Sequence, residues 1–172
     1  MASVYREHYE KEIFIFNEIL KRYHPLISDM VKDLEVELSL DILCKNNLFN
    51  IEIMCEHAVA YVGGLELSNE HGQDYSDESE QKVVSMTKNS DRDNGYRVTI
   101  KNIHRKKDLI RLIVYNKVKK RLDYFVFKLS DIGFDKQTRT RLDPYYNPNK
   151  DTYSIIQNYK VNSFEELCMK KG

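Results

Sequence analysis

No stretch of this 172-residue chain stays apolar for the roughly 20 residues that a bilayer-spanning helix requires, and the opening Met1-Ala2-Ser3-Val4-Tyr5-Arg6-Glu7 holds no signal-like apolar core. No membrane association is expected, and the cytoplasm is the expected compartment. Cysteine is scarce. Cys44, Cys55 and Cys168 form an odd set without C-x-x-C spacing, which supports neither a disulfide framework nor a zinc knuckle and leaves buried free thiols as the simplest reading. The histidines, at 8, 24, 57, 71 and 104, form no H-x-x-x-H pair of the zincin type. The chain also lacks an internal repeat and the D-x-D-x-D-G pattern of a calcium-binding EF-hand loop.

What is present fits one folded domain. A hydrophobic content of 41% is ordinary for a globular protein, and the length suffices for a sizeable core. Formal net charge is zero, yet the charges are segregated: residues 1–96 hold 9 Lys/Arg against 19 Asp/Glu, and residues 97–141 hold 14 against 4. An acidic first half followed by a basic middle hints at a polyanionic partner. Arg97, Lys101, Arg105, Lys106, Lys107, Lys119, Lys120, Arg139 and Arg141 are the expected phosphate contacts, several of them in turns. The competing reading has such cations keeping strand edges soluble and facing the acidic half of the same chain.

The pattern changes period along the chain. Ile13, Phe16, Leu20, Tyr23, Ile27, Met30 and Leu34 recur at spacings of three and four, an amphipathic helical stripe that Pro25 should kink or divide. A second helix is predicted from about Phe49 to Val62, stopped by Gly63-Gly64, with Phe49, Ile53 and Ala60 facing inward, Cys55 and Val59 as further candidates for that face, and Glu56 on or beside it. Strands follow: Val83 to Thr87, a turn from Lys88 to Gly95, Tyr96 to Ile100, Leu109 to Tyr115 and Leu122 to Phe127, with antiparallel hairpins as the simplest connections. Tyr145 and Tyr146 lie in a turn-rich stretch and are expected to pack on the sheet, and Ser163-Phe164-Glu165-Glu166 carries the capping box of a short closing helix. The expected fold is therefore α+β: N-terminal helices (1–64), an acidic loop and a central, mostly antiparallel mixed sheet (65–130), then a basic loop and a short C-terminal helix (131–172), all in one domain.

The chemistry concentrates where helix gives way to sheet. Residues 65–80 carry Glu66, Glu70, Asp74, Asp77, Glu78 and Glu80 with no base before Lys82, a density of negative charge that favours a bound cation. If Glu80-Gln81-Lys82 opens a strand, the two-residue period sends Glu80 and Lys82 to one face and Gln81 to the other. A carboxylate from the preceding loop, Asp74 or Asp77, can then share a hard divalent cation with Glu80, while the Lys82 ammonium steadies the attacking water or the charge on a phosphate.

Asp74 with Glu80-Gln81-Lys82 resembles the signature of the PD-(D/E)XK nucleases, a superfamily that includes many restriction endonucleases: an acidic residue, a gap, then Asp or Glu, any residue, and Lys on the next strand. The likeness covers about residues 56–86. It departs from the pattern in having Ser76 rather than proline before Asp77, and in the shortness of the gap. Glu56 matches the helical glutamate that some members place before the motif. The resemblance implies a magnesium-dependent endonuclease acting on double-stranded DNA, with Mn2+ as a substitute ion, and a homodimer to cut both strands of a two-fold site. Asp74, Glu80, Lys82, Asp77 and Glu56 are its implied catalytic set, with Asp74, Asp77 and Glu80 on the metal. The alternative, from a different class, is a non-catalytic nucleic-acid-binding or host-interaction protein that uses the basic 97–141 region.

Overall fold

Leu109–Asn116 (β4) and Arg121–Lys128 (β5) form the antiparallel hairpin on which everything else is laid, paired in full register from Leu109 opposite Lys128 to Asn116 opposite Arg121. The computed structural model describes residues 10–23, 50–68, 74–90, 93–105 and 108–171. Around the hairpin stand Glu80–Val84 (β1), Thr87–Ser90 (β2), Asp93–Arg97 (β3), Tyr145–Asn147 (β6), Thr152–Tyr153 (β7) and Lys160–Val161 (β8). One mixed sheet has the order β1-β4-β5-β8, and a second, antiparallel sheet has the order β2-β3-β6-β7. Among the described residues the α-helices are Glu10–Glu18 (α1), with a 3-10 turn at Leu20–Tyr23, then Ile51–Gly63 (α2) and Phe164–Met169 (α3). The α+β class is that expected from the sequence. No helix among the described residues is long and apolar enough to cross a membrane.

The first sheet is buried on both faces, and this explains why β4 reads as a nearly continuous apolar run rather than an alternating one. On one face, Ile113 and Val126 join Ile15, Phe16, Leu20, Met54, Ala58, Phe164 and Leu167 in a core beneath the helices. On the other, Ile110, Leu112, Val114, Phe125 and Phe127 join Met86, Val98, Ile100, Leu142, Tyr146 and Tyr153 in a core beneath the second sheet. Helices, sheet and sheet thus make three layers.

Several expectations shift. β1 begins at Glu80, not Val83, and lies parallel to β4, because the chain leaves the first sheet to build β2 and β3 before it returns; a detour of that length permits a crossover where a tight hairpin would not. The expected turn from Lys88 to Gly95 is shorter than predicted, since Lys88 already pairs with Tyr96 in the β2–β3 ladder. In α2, Asn50 caps the N-terminus by accepting the Ile53 N–H, and Gly64 ends the helix in the left-handed conformation at φ 65°. Its buried residues are Ile51, Met54, Cys55, Ala58 and Val59; Cys55 and Val59 are among the candidates expected inward, whereas Ile53 is 45% exposed and Ala60 half-buried, so the covered face is turned from the predicted one toward Met54 and Ala58. Tyr146 is buried in β6, as a packing role requires. Ser163 caps α3 by accepting from the Glu166 N–H at 3.1 Å, and the Glu166 carboxylate accepts from the Asn162 N–H at 2.9 Å, one residue before the position a reciprocal box would use. Pro25, Ile27, Met30, Leu34, Cys44, Phe49, His71, Lys106 and Lys107 lie outside the described residues, as does the Arg105 side chain.

Candidate functional site

Where it is described, the acidic connector is held by its own hydrogen bonds, with Glu66, Ser76 and Glu78 exposed. Ser68 N–H donates to the Asp74 carbonyl and Ser76 N–H to the Glu66 carbonyl, closing a small antiparallel hairpin with a Leu67–Tyr75 bridge. Asp74 N–H donates to the Ser79 carbonyl at 2.8 Å, and Glu78 takes a left-handed turn at φ 65°. This brings the Asp74 carboxylate back over the strand it precedes: its Oδ2 accepts the Gln81 N–H at 2.8 Å. Among the described residues β1 has a ladder partner on one side only, and on the other side Asp74 caps the strand at the middle residue of the Glu80-Gln81-Lys82 triplet.

Parallel pairing fixes the faces. Glu80 stands opposite Ile110 and Lys82 opposite Leu112, both members of the core under the second sheet, so the acid and the ammonium share that face. Gln81 stands opposite Arg111 and turns to the helices, where its Oε1 accepts from the Tyr75 hydroxyl at 2.5 Å. Glu80 is buried, at 4% exposure, and Lys82 is half-buried. Burial pushes the Tyr75 phenol well above its ordinary value, and the nearby carboxylates of Glu56 and Asp74 push it in the same direction, so it is a neutral donor at physiological pH. Glu56 is half-buried on α2, the helix whose Glu52 carbonyl accepts from Gln81 Nε2 on the helix face of the sheet.

Asp77 has a different neighbourhood. Its Oδ2 accepts from Arg111 Nη2 at 2.5 Å, and its Oδ1 accepts from the Ser79 N–H at 3.1 Å. Burial alone would raise this carboxyl, but the hydrogen bonds from Ser79 and Arg111 outweigh it and hold it below the usual carboxylate value. Arg111 itself is fully buried, with Nε on the Ser79 hydroxyl at 3.1 Å and Nη1 on the Leu167 carbonyl of α3. The sequence counted it among the basic residues of the middle segment, whereas its charge is turned inward.

Among the described residues, no three His, Cys, Asp or Glu side chains gather closely enough to hold a metal ion by themselves. The donor chemistry that remains, Asp74 at the strand edge and Glu80 on the strand, nevertheless suits magnesium, which keeps several of its waters and takes only one or two carboxylates from a protein. The cations are distributed unevenly about this site. Arg97, Lys101, Arg139 and Arg141 are exposed, and the backbone bonds Ile100 N–H to Leu142 carbonyl and Ile103 N–H to Thr140 carbonyl place Lys101 beside the Arg139–Arg141 segment. Ile100 and Leu142 pack in the same core as Ile110, the residue opposite Glu80. Arg141 pairs with Asp143 at 2.9 Å, and Arg139 lies over the Phe134 ring.

Lys119 and Lys120 sit in the β4–β5 turn, at the far end of β4 from Ile110, and Lys120 Nζ is 3.1 Å from Glu10. Lys120 borders a cleft between α1 and Tyr115 whose walls also bear the carboxylates of Glu10 and Glu18.

The residues that sequence reasoning passed over are Arg111, Tyr75 and Ser79. One signal was available: a charged residue within Leu109-Ile110-Arg111-Leu112-Ile113-Val114, in a strand apolar on both sides, must bring a partner with it. Comparison with protein-family models, with curated proteins and with solved structures finds no match for this chain.

Proposed function

We propose that this protein is a small metal-dependent endonuclease acting on double-stranded DNA, with Asp74, Glu80 and Lys82 as its working residues. The observation that carries the reading is the seating of the Asp74 carboxylate on the Gln81 N–H, which puts a second acid against the backbone of an acid-x-lysine triplet. Asp74, rather than Asp77, is the first carboxylate in this reading, because Asp77 is engaged by Arg111 on the helix face. Asp74 and Glu80 would hold magnesium or manganese; when bound, the ion acts as a Lewis acid and lowers the pKa of its water. Lys82 contributes an ammonium on the same face as Glu80, where it stabilises charge developing on the scissile phosphate. Gln81, locked by Tyr75 on the opposite face, keeps the strand from rotating its acid and its ammonium apart. Arg97, Lys101, Arg139 and Arg141 supply the phosphate contacts that hold the duplex. Cutting both strands of a two-fold sequence requires a homodimer.

Incubation of supercoiled plasmid with the protein, with magnesium or with a chelator, tests the assignment. Nicking that requires the ion and falls by about 100-fold or more in Lys82→Ala is the expected result. The burial of Glu80 and the engagement of Asp77 favour a second reading, a DNA-binding protein without catalysis. Salt-sensitive retention of uncut plasmid by wild type and Lys82→Ala alike would establish that reading and remove the first.

A further inference from the structure

We infer that Arg111 is a positioning residue for the proposed site: from within the core it sets where Asp74 stands relative to Glu80-Gln81-Lys82. The inference rests on the endonuclease reading and assigns a role to a residue outside the triplet. Arg111 is 0% exposed, and a guanidinium stays charged at any physiological pH, so its placement in a core requires compensation from every side. The compensation comes from two separate parts of the chain. Its Nη2 and Nε reach the acidic loop, at Asp77 Oδ2 (2.5 Å) and Ser79 Oγ (3.1 Å), and its Nη1 reaches the Leu167 carbonyl in α3.

A short path leads from these contacts to the site. Ser79, held by Arg111 through its hydroxyl, holds the Asp74 N–H with its carbonyl at 2.8 Å, and Asp74 in turn receives the Gln81 N–H at 2.8 Å. Arg111 is also the ladder partner of Gln81 on the neighbouring strand, so the loop and the triplet are referred to the same residue. The left-handed backbone of Glu78, which a non-glycine residue adopts only under restraint, lies between the two loop residues that Arg111 grips. Without the grip, the loop is free to open at Glu78 and carry Asp74 away from the strand edge. The planar fork is essential to this role. A lysine ammonium is a point charge and does not reproduce three donors in fixed directions toward Asp77, Ser79 and Leu167.

The test uses the full chain and three readouts: amide hydrogen exchange at Gln81, Mn2+ binding followed by the electron paramagnetic resonance signal of the free ion, and plasmid nicking. In Arg111→Lys, Gln81 exchange at least 10-fold faster and Mn2+ binding at least 10-fold weaker are expected, with nicking restored in part by raising the Mn2+ concentration. Because a lone buried ammonium can prevent folding, the double variant Arg111→Met with Asp77→Asn removes both buried charges together, a change that cores commonly tolerate. It is expected to fold, to exchange rapidly at Gln81 and to bind Mn2+ at least 10-fold more weakly. A folded variant of either kind that keeps wild-type Gln81 protection and wild-type Mn2+ affinity overturns the positioning role while leaving the endonuclease reading intact. Wild-type protein that neither binds Mn2+ nor nicks overturns both, and that outcome is visible before any variant is made.

Discussion

Asp123 is 2% exposed, and around it the chain assembles a polar cluster that joins the two sheets. It accepts from Asn116 Nδ2 at 3.0 Å and from the Tyr153 hydroxyl at 2.5 Å, and its other oxygen receives Arg121 Nε at 2.7 Å with Lys160 Nζ at 3.4 Å. Arg121 continues outward to Asp151 with two parallel bonds of 2.6 and 2.9 Å, where Tyr146 adds its hydroxyl at 2.6 Å. A buried carboxylate with this many donors is a fixed point, because loss of any one member strands the rest. Its outer half titrates. The paired donors of Arg121, with the Tyr146 hydroxyl, hold the Asp151 carboxyl down to about 2 from an ordinary value of 3.8. A depressed folded-state pKa contributes stability that is present in full above the unfolded value and lost as pH falls through the folded one, so the stability that Asp151 contributes is lost between pH 3.8 and about 2. Thermal melts of wild type and Asp151→Asn across that window should therefore converge as the pH drops, with wild type the more stable of the two near neutrality. A constant gap at every pH would show that Asp151 acts through shape and not through charge.

At the level of elements, the junction of α2 and α3 rests on two adjacent glycines that are required for different reasons. A Cβ on Gly63 would meet the Cys168 carbonyl oxygen at 2.5 Å, a contact with backbone that only a shift of α3 can relieve. Gly64 has open space around it but stands at φ 65°, where a side chain is strained. Gly63→Ala should cost about 1–3 kcal/mol by overpacking, and Gly64→Ala about 1–2 kcal/mol by backbone strain. Urea unfolding gives both losses. Only the first should disturb the amides of Phe164–Met169, and undisturbed α3 amides in Gly63→Ala would mean that the helices do not meet at this point. The end of α2 at this glycine pair was readable in the sequence because the stop signal is local; so was the Ser163 cap of α3. The face of α2 was readable only in part, at Cys55 and Val59, since Ile51, Ile53, Met54, Cys55, Ala58 and Val59 are apolar around most of the helix and only its neighbours decide which of them are covered. For the same reason β1 and β4 were visible as strands but their parallel pairing was not. Pairing partners are chosen by the course of the chain between them, and residues 85–108 carry no mark of whether they turn back at once or first build a second sheet. At the site, the common face of Glu80 and Lys82 follows from the strand period, while the diversion of Asp77 to Arg111 depends on a contact 34 residues away that no local pattern encodes.

Across the whole molecule, the segregated charge of the sequence is only partly a segregated surface. Arg111 is inside, Arg121 faces Asp123 and Asp151, and Lys120 meets Glu10 of the acidic N-terminal part, so these cations are matched within the fold. Arg97, Lys101, Arg139 and Arg141 are exposed, Arg141 with Asp143 beside it, and the last three lie close together next to residues of the second-sheet core. Lys119 and Lys120 lie in the turn beyond Asn116, which is itself six residues along β4 from Ile110, a distance of about 20 Å at the rise of a strand. If DNA is held for attack near Glu80 and Lys82, its phosphates meet the first group and miss the second. Each phosphate contact contributes about 0.9 to the dependence of log affinity on log salt. Replacing Arg97, Lys101, Arg139 and Arg141 with glutamine should therefore flatten that dependence by up to about 3.6 units if each cation makes one contact, whereas Lys119→Gln with Lys120→Gln should change it by less than about 1. Fluorescence anisotropy on a short duplex in the presence of chelator, over a series of salt concentrations, gives both slopes without involving catalysis. Equal slopes for the two variants, or a larger effect from the turn lysines, would move the DNA to the opposite end of the hairpin and away from Lys82.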